Sequence, residues 1–376
     1  MAGRLRKIPW ALILPALFLL GLGLAGIARC DQLAASGGRF FYRQIIWCGI
    51  AGLALTATAA LPSHQLIRRH AYSIFAASIL LLLIVYLFPP INGAQRWIRV
   101  GPLGLQPSEL AKVAYVIMLA RYLRDRDHLR RLSGVVWPVV LTLMPVLLIL
   151  CEPDLGTATV FLPVLLAMLF VAGIPKKTLA ALVLVGVCLL PVLWSQMSLE
   201  QRSRVTSLFE QTGPGDAPSD EGYQLRQAKQ MVALGSGWGS YWLGEPVNDP
   251  AAYRLPEAHS DFIFCVIGER FGLPGMATVL GLYAWLVWQA IAVGRATRDS
   301  FARMLAFGLA TMIGVQVLIN TGMSVGLLPI TGLPLPLVSY GGSGLLTQGI
   351  ALGLLVNVAL RPGYDIAREP FQSIEH

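Results

Sequence analysis

The chain has 376 residues, 55% hydrophobic and only 13% charged, with a formal net charge of +9 and a mean hydropathy of +0.64. An ordinary soluble domain is roughly 25% charged, so this composition excludes a soluble enzyme, a disordered chain and a disulfide scaffold and leaves a polytopic membrane protein. The excess of Lys and Arg then reads as cytoplasmic-loop charge, and no nucleic-acid partner is expected.

A helix needs about 20 apolar residues to cross a bilayer. Ten stretches are predicted to do so, at approximately 8–28, 42–61, 70–89, 108–123, 135–151, 156–174, 178–197, 271–293, 304–328 and 343–360. The first has Arg4, Arg6 and Lys7 ahead of it, like a signal peptide. It is longer than a signal core, and Arg29-Cys30-Asp31 is no small-residue cleavage site, so it reads as a retained span. With the N-terminus placed inside, 17 of the 29 Lys and Arg fall on the inner side and nine outside. Five of those nine lie in one long loop, where the positive-inside rule is weak. Both termini are therefore expected in the cytoplasm. Arg29 and Asp31 are assigned to the first outer loop. The outer face gathers carboxylates, among them Glu152, Asp154, Glu257 and Asp261, and chemistry is expected there. The fold class is all-α, a single domain over 1–376 with one large extracytoplasmic loop at 198–260.

Four clusters place polar or irregular sequence where a membrane disfavours it. In Asn92–Lys112, Pro107 and Ser108 open a helix, with Ser as N-cap or Pro at the first position. Glu109 sits in its first turn and Lys112 three residues on, on the same face. The two read as a structural ion pair or as a cationic group facing an anion in a cavity. Arg96 and Arg99 flank Trp97 just before, as snorkelling side chains or as donor forks for a diphosphate. Glu152-Pro153-Asp154-Leu155-Gly156 is a tight turn whose carboxylates cap the sixth span.

The long loop follows. Gln211–Asp220 reads as disordered or mobile, Glu221–Leu234 as a helix, and Gly235–Leu243 (GSGWGSYWL) as an aromatic segment at the membrane interface. The loop closes with Glu257, His259 and Asp261 within five residues at the entrance of the eighth span. Asp261 reads either as an N-cap or as a functional carboxylate beside an apolar pocket. Glu269 and Arg270 lie about two turns deeper. Finally, Asn320–Gly344 interrupts an apolar segment with several helix breakers, which marks irregular backbone at membrane depth. Ser339 and Tyr340 offer hydroxyls there. The five cysteines are scattered and read as small hydrophobes.

Five motifs together resemble the SEDS family (shape, elongation, division and sporulation) of RodA/FtsW type: GAQRWI at Gly93–Ile98, QPSELAK at Gln106–Lys112, PDLGTA at Pro153–Ala158, PEAHSDFIF at Pro256–Phe264 and GLPLPLVSYGGS at Gly332–Ser343. The resemblance implies polymerisation of lipid II, a disaccharide-pentapeptide on undecaprenyl diphosphate, in a bacterial cytoplasmic membrane with the active site outside. It implies a class B penicillin-binding transpeptidase as partner, with other elongation-complex membrane proteins. The family's essential aspartate falls on Asp261, and the polar positions of its QPSE-x-x-K motif on Glu109 and Lys112. GAQRW and GLPLPLVSYGGS lean towards the rod-elongation type. Ala258 departs from many rod-type members, which carry Arg there, and Gly235–Gly244 lacks the lysine that the family loop often has.

In that frame Asp261 is the expected general base. Arg96, Lys112 and Arg204 are expected to meet the diphosphate. His259 and Glu257 would orient Asp261 or hold the sugar, with Trp97, Ser339 and Tyr340 in the same site. No cofactor is required, and a divalent cation, Mg or Mn, is the alternative counter-charge. A lipid II flippase, a division- or sporulation-type polymerase and a non-catalytic scaffold are the competing readings.

Overall fold

The computed structural model describes residues 9–34, 38–90, 94–100, 103–124, 132–208, 220–244 and 253–362. In chain order the first helices are α1 (Trp10–Leu33), α2 (Arg39–Ala60), α3 (His64–Arg69) and α4 (Ala71–Ile84), the last prolonged by a 3₁₀ turn at Val85–Leu87. The strands β1 (Ile98–Val100) and β2 (Leu103–Leu105) precede α5 (Pro107–Tyr122), α6 (Leu132–Cys151), α7 (Leu155–Ala172) and α8 (Lys176–Gln196). The long loop contributes α9 (Leu199–Thr206), α10 (Asp220–Gly235) and α11 (Ser240–Leu243). It leads to α12 (Ile263–Ala296), α13 (Ser300–Ser324) and α14 (Gly342–Ala359).

Each of the ten predicted spans falls on one of these helices. Among the described residues seven helices are long and apolar enough to cross a membrane: α1, α2, α6, α7, α12, α13 and α14. The remaining three predicted spans coincide with α4 and its 3₁₀ turn, α5 and α8. Large apolar side chains such as Phe18, Leu53, Leu184 and Trp288 lie exposed on the outer faces. Such a band costs free energy in water and none in lipid. The arrangement is that of a multi-pass membrane protein.

The core is inverted around α5, where nearly every side chain from Pro107 to Ala120 is buried. It is walled by α4, α7, α13 and α14. At 1.5 Å per residue its 16 residues reach about 24 Å, short of a hydrocarbon core of about 30 Å. The hairpin of β1 and β2 precedes its N-terminal end, pairing Ile98 with Leu105, Arg99 with Gly104 and Val100 with Leu103. The all-α reading did not anticipate it, because three-residue strands are too short to display a period-2 pattern. Elsewhere helices approach through small residues. A Cβ on Gly349 or Gly353 of α14 would strike the α2 backbone at Ala51 or Leu55.

Two boundaries differ from the sequence reading. The first helix runs to Leu33, so Arg29 and Asp31 are buried rather than in an outer loop. Arg29 makes a two-pronged bond to Glu269 of α12, Nε to Oε2 at 3.1 Å and Nη2 to Oε1 at 2.8 Å. Asp31 accepts the backbone N–H of Phe40 and Phe41 and so holds the start of α2. The eighth span, expected from 271, already begins at Ile263 and kinks at Gly272, whose φ of 62° only glycine adopts freely. Pro274, which lacks an N–H, keeps the ladder from closing across that point.

In the long loop, α10 matches the expected helix and packs on α12. The following glycine-rich segment docks on the kink, Leu273 N–H donating to Gly237 O at 3.2 Å. Trp238, Tyr241 and Trp242 stay exposed, as an interfacial segment requires. The stretch Gln211–Ser219, expected to be mobile, lies outside the described residues, as do Asn92 and Gly93 of the first cluster.

Candidate active site

A cavity of about 140 Å³ opens where α5, the turn before α12, α13, α14 and the irregular segment between α13 and α14 meet. Trp97, Gln106, Glu109, Ser260, Asp261 and Tyr340 line its polar side, and Leu335, Leu337 and Leu345 its apolar side. It therefore assembles residues from four of the five motifs. None of them is adjacent to all the others in sequence, so only the fold creates the site.

Asp261 sits in the turn before α12 and is partly exposed. It does not cap the helix: Phe262 holds the N-cap position, and no side chain caps there. The turn is tied by Glu257, whose carbonyl accepts the N–H of Ser260 at 3.1 Å and of Asp261 at 3.0 Å. The Asn320 amide of α13 donates to Asp261 O at 2.8 Å and to Leu333 O at 2.7 Å, locking the turn to the irregular segment. Ser339 adds a second tie: its hydroxyl donates to Ser260 O and accepts the N–H of Leu335. Gly332, at a φ of +68°, faces the carboxylate so closely that a Cβ there would lie 3.3 Å from Asp261 Oδ2.

Burial pushes the Asp261 carboxyl up to about 6; Glu257 adds to the rise, and Ser260 and Arg204 oppose it. Its affinity for a proton is thus raised while it remains mostly ionised at neutral pH, the condition for a general base. Arg204, from α9, lies close enough to act on that charge. His259 stacks on Phe40 with ring centroids 4.1 Å apart and tilts against Tyr340 at 5.2 Å. Burial lowers its pKa below the ordinary histidine value, although Glu257 and Asp31 pull the other way. Glu257 is 62% exposed, with Oε2 4.0 Å from His259 Nε2.

On the opposite wall Pro107 takes the first position of α5, leaving Glu109 in the first turn. Lys112 Nζ donates to Glu109 Oε1 at 2.8 Å, with both side chains buried. Glu109 faces the cavity, so the pair forms part of its wall. The predicted turn 152–156 caps α7: Asp154 accepts the N–H of Thr157 at 3.1 Å and its hydroxyl at 2.9 Å. Gln106 reaches the same carboxylate at 3.2 Å. Arg96 points to this turn instead of the cavity. Its Nε donates to Glu152 O at 2.8 Å, and Nη2 to Pro153 O. Its fork thus acts as a clamp on the turn.

Trp97, Glu109, Asp261, Ser339 and Tyr340 accordingly meet at one cavity, with Lys112, His259 and Arg204 around it, Glu257 at its exposed edge and Arg96 outside. Gln316 and Gln348 are not among the residues expected from the sequence, being neutral amides within apolar helices, and Asn320 was expected only as the start of the irregular segment. A lone Gln in TMIGVQVLIN or in LLTQGI was the available signal.

Comparison with known proteins agrees along most of the chain. The sequence model of the FtsW/RodA/SpoVE family, described as cell cycle protein, matches residues 9–362. A probable peptidoglycan glycosyltransferase FtsW of Alkalilimnicola ehrlichii is 35% identical over 369 residues, spanning 94% of this chain and 89% of that protein. The FtsW of Allochromatium vinosum is 37% identical over 93% and 89%. Among solved structures, a chain from a peptidoglycan synthase complex studied for its coordination of polymerization and crosslinking superposes with a TM-score of 0.80 at 32% identity. It covers 95% of this chain and 99% of its own. The rod shape determining protein RodA of Thermus thermophilus gives 0.72 at 31%, over 95% and 98%.

Proposed function

This chain belongs to the family of FtsW-, RodA- and SpoVE-type cell cycle proteins, and from that premise we propose that it is a peptidoglycan glycosyltransferase polymerising lipid II at the Asp261 cavity. The observation that carries the reading is a raised carboxyl, its turn held by hydrogen bonds, lining a mostly apolar cavity whose wall includes Glu109 of the buried Glu–Lys pair.

In the reaction, Asp261 takes the proton of the acceptor sugar hydroxyl. The oxygen's electron pair forms the new bond to the donor's anomeric carbon. The bond from that carbon to the diphosphate oxygen breaks, and its electron pair leaves with the lipid diphosphate, which needs counter-charge more than a proton. Arg204 is the candidate for that charge, whereas Lys112 is buried and neutralised by Glu109 and Arg96, committed to two carbonyls, keeps the 152–156 turn in place. Among the described residues no three His, Cys, Asp or Glu side chains group as a metal site, and no step is routed through a divalent cation.

We propose a bacterial cytoplasmic-membrane location with the cavity outward, a reading supported by the multi-pass frame and by the family. A penicillin-binding transpeptidase is the proposed partner, a reading supported by the likeness to a synthase-complex chain. The lean towards the rod-elongation type is not confirmed: the sequence relatives carry the FtsW name, and of the readings stated the division-type one fits them better. Purified protein incubated with lipid II, with and without the transpeptidase, tests the reading. Glycan polymer from the native chain is expected. Lipid II transfer between leaflets of vesicles without polymer would favour translocation instead.

A further inference from the structure

Helix α2 fully buries only two of its side chains, Ala51 and the polar Gln44, which is 2% exposed. The Gln44 amide is used at both ends. Nε2 donates to Ser339 O at 3.0 Å, and Oε1 accepts the Gly341 N–H at 3.3 Å. A carbonyl only accepts and an N–H only donates, so the two bonds together fix which end of the amide is which. The clamp closes on the end of the irregular segment ahead of α14, where no regular ladder supplies partners for the backbone. The same short stretch holds the turn of Asp261 on its other side. Tyr340 N–H donates to His259 O at 2.9 Å, and the Ser339 hydroxyl donates to Ser260 O. Phe40, one helical turn ahead of Gln44 and on the same face of α2, stacks on the His259 ring. One face of α2 thus bears on the 259–261 turn twice, directly through Phe40 and by way of Ser339–Gly341 through Gln44. Gln44 itself does not line the cavity, whereas Asp261, Tyr340 and Gly341 do.

We propose that Gln44 is a positioning residue for glycosyl transfer: by clamping Ser339 O and the Gly341 N–H it holds the cavity wall and the turn that carries Asp261 in register. The proposal rests on the reading of Asp261 as the base. Its alternative is a tie that merely packs α2 on its neighbours, and the molecule contains such a tie for comparison. Asn357 of α14, also buried, donates from Nδ2 to Thr58 O at 3.2 Å, Ala59 O at 3.1 Å and Leu61 O at 2.9 Å. It grips the other end of α2, about 21 Å from Gln44 at 1.5 Å per residue.

The test follows lipid II polymerisation across pH by the full chain with its transpeptidase partner, per mole of folded protein. Gln44→Met keeps the length of the side chain and loses both bonds. It is expected to lower kcat at least tenfold with a smaller change in KM, since a misplacement of about 1 Å at a reacting group costs up to about a hundredfold. Glu257, Asp154 and Arg204, whose charges act on Asp261, are untouched by the substitution. A loosened turn buries the carboxyl less, so the acidic limb of the pH–rate profile should move down from about pH 6 towards the ordinary carboxylate range. Asn357→Leu is expected to lower the melting temperature and to leave kcat and the limb at wild-type values. A limb in Gln44→Met that stays in place or rises would overturn the proposal, as would the same kinetic change in Asn357→Leu. If Gln44→Met does not fold, Gln44→Glu decides. Its protonated carboxyl reproduces both bonds, so it is expected near the wild-type rate at pH 6. At pH 9, where the ionised group sets acceptor against the Ser339 carbonyl, it should fall to a tenth of that rate or less. A constant ratio to wild type over that range would overturn the proposal. Asp261→Asn run in parallel separates the two readings: polymer from that variant overturns the site itself, whereas its silence with a wild-type limb in Gln44→Met overturns only the role of Gln44.

Discussion

Replacing Asp261 by Asn is expected to abolish polymerisation and to stabilise the protein at the same time. Folding moves the carboxyl from 3.8 to about 6, mainly through burial. Two pH units at about 1.36 kcal/mol each correspond to about 3 kcal/mol of destabilisation by the charged form. The residue is partly exposed, so solvent screening reduces this to an effective figure on the order of 1–2 kcal/mol. A raised carboxyl pKa means that the folded state holds the proton more tightly. The cost is therefore absent below about pH 4, grows as pH rises to about 6, and is constant above. Asparagine never bears it. The melting temperature of Asp261→Asn in detergent should match that of wild type near pH 4 and exceed it by a few degrees above about pH 6. A difference that does not change with pH, or one that is largest at low pH, would refute the reasoning.

Glu152 gives a second pH test. It is fully buried, neither carboxylate oxygen has a partner among the described residues, and burial together with Asp154 pushes its carboxyl up to about 8. By the same sign, the melting-temperature advantage of Glu152→Gln should grow between about pH 5 and pH 8 and then level off. Glu269→Gln breaks the buried pair with Arg29 and is expected to cost about 3–5 kcal/mol, seen as loss of detergent-stable protein. Arg29→Met combined with Glu269→Leu should recover most of that yield. Gly332→Ala puts a Cβ 3.3 Å from Asp261 Oδ2 on a residue at φ +68°. The strain is about 1–2 kcal/mol, so the variant should fold, melt somewhat earlier and polymerise at least tenfold more slowly.

The spans were legible because a membrane forces long apolar runs on a helix, and that signal survives in one sequence. Their ends were not. Arg29 looked like a loop residue until its partner, Glu269, was found 240 positions away on α12. No local pattern encodes such a pair. The Glu109–Lys112 pair was readable, since three residues on a helix share a face. The N-cap alternative for Asp261 falls away because Phe262 holds that position, and the ties of its turn to Asn320 and Ser339 exist only once α13 and the irregular segment close over it. Arg96 shows the opposite limit. Its residue type suited a phosphate, and its geometry serves two backbone carbonyls. Gln316 and Gln348, which also line the cavity, are neutral and so leave no charge signal in an apolar run.

The central claim is that Asp261 removes the proton in glycan polymerisation, and one measurement meets it most directly. The rate of polymer formation from lipid II is followed across pH for the native chain, with its transpeptidase partner, and for Asp261→Asn. The account predicts a native rate that falls about tenfold per unit below about pH 6 and no polymer from the variant at any pH. Polymer from Asp261→Asn at the native rate would contradict it.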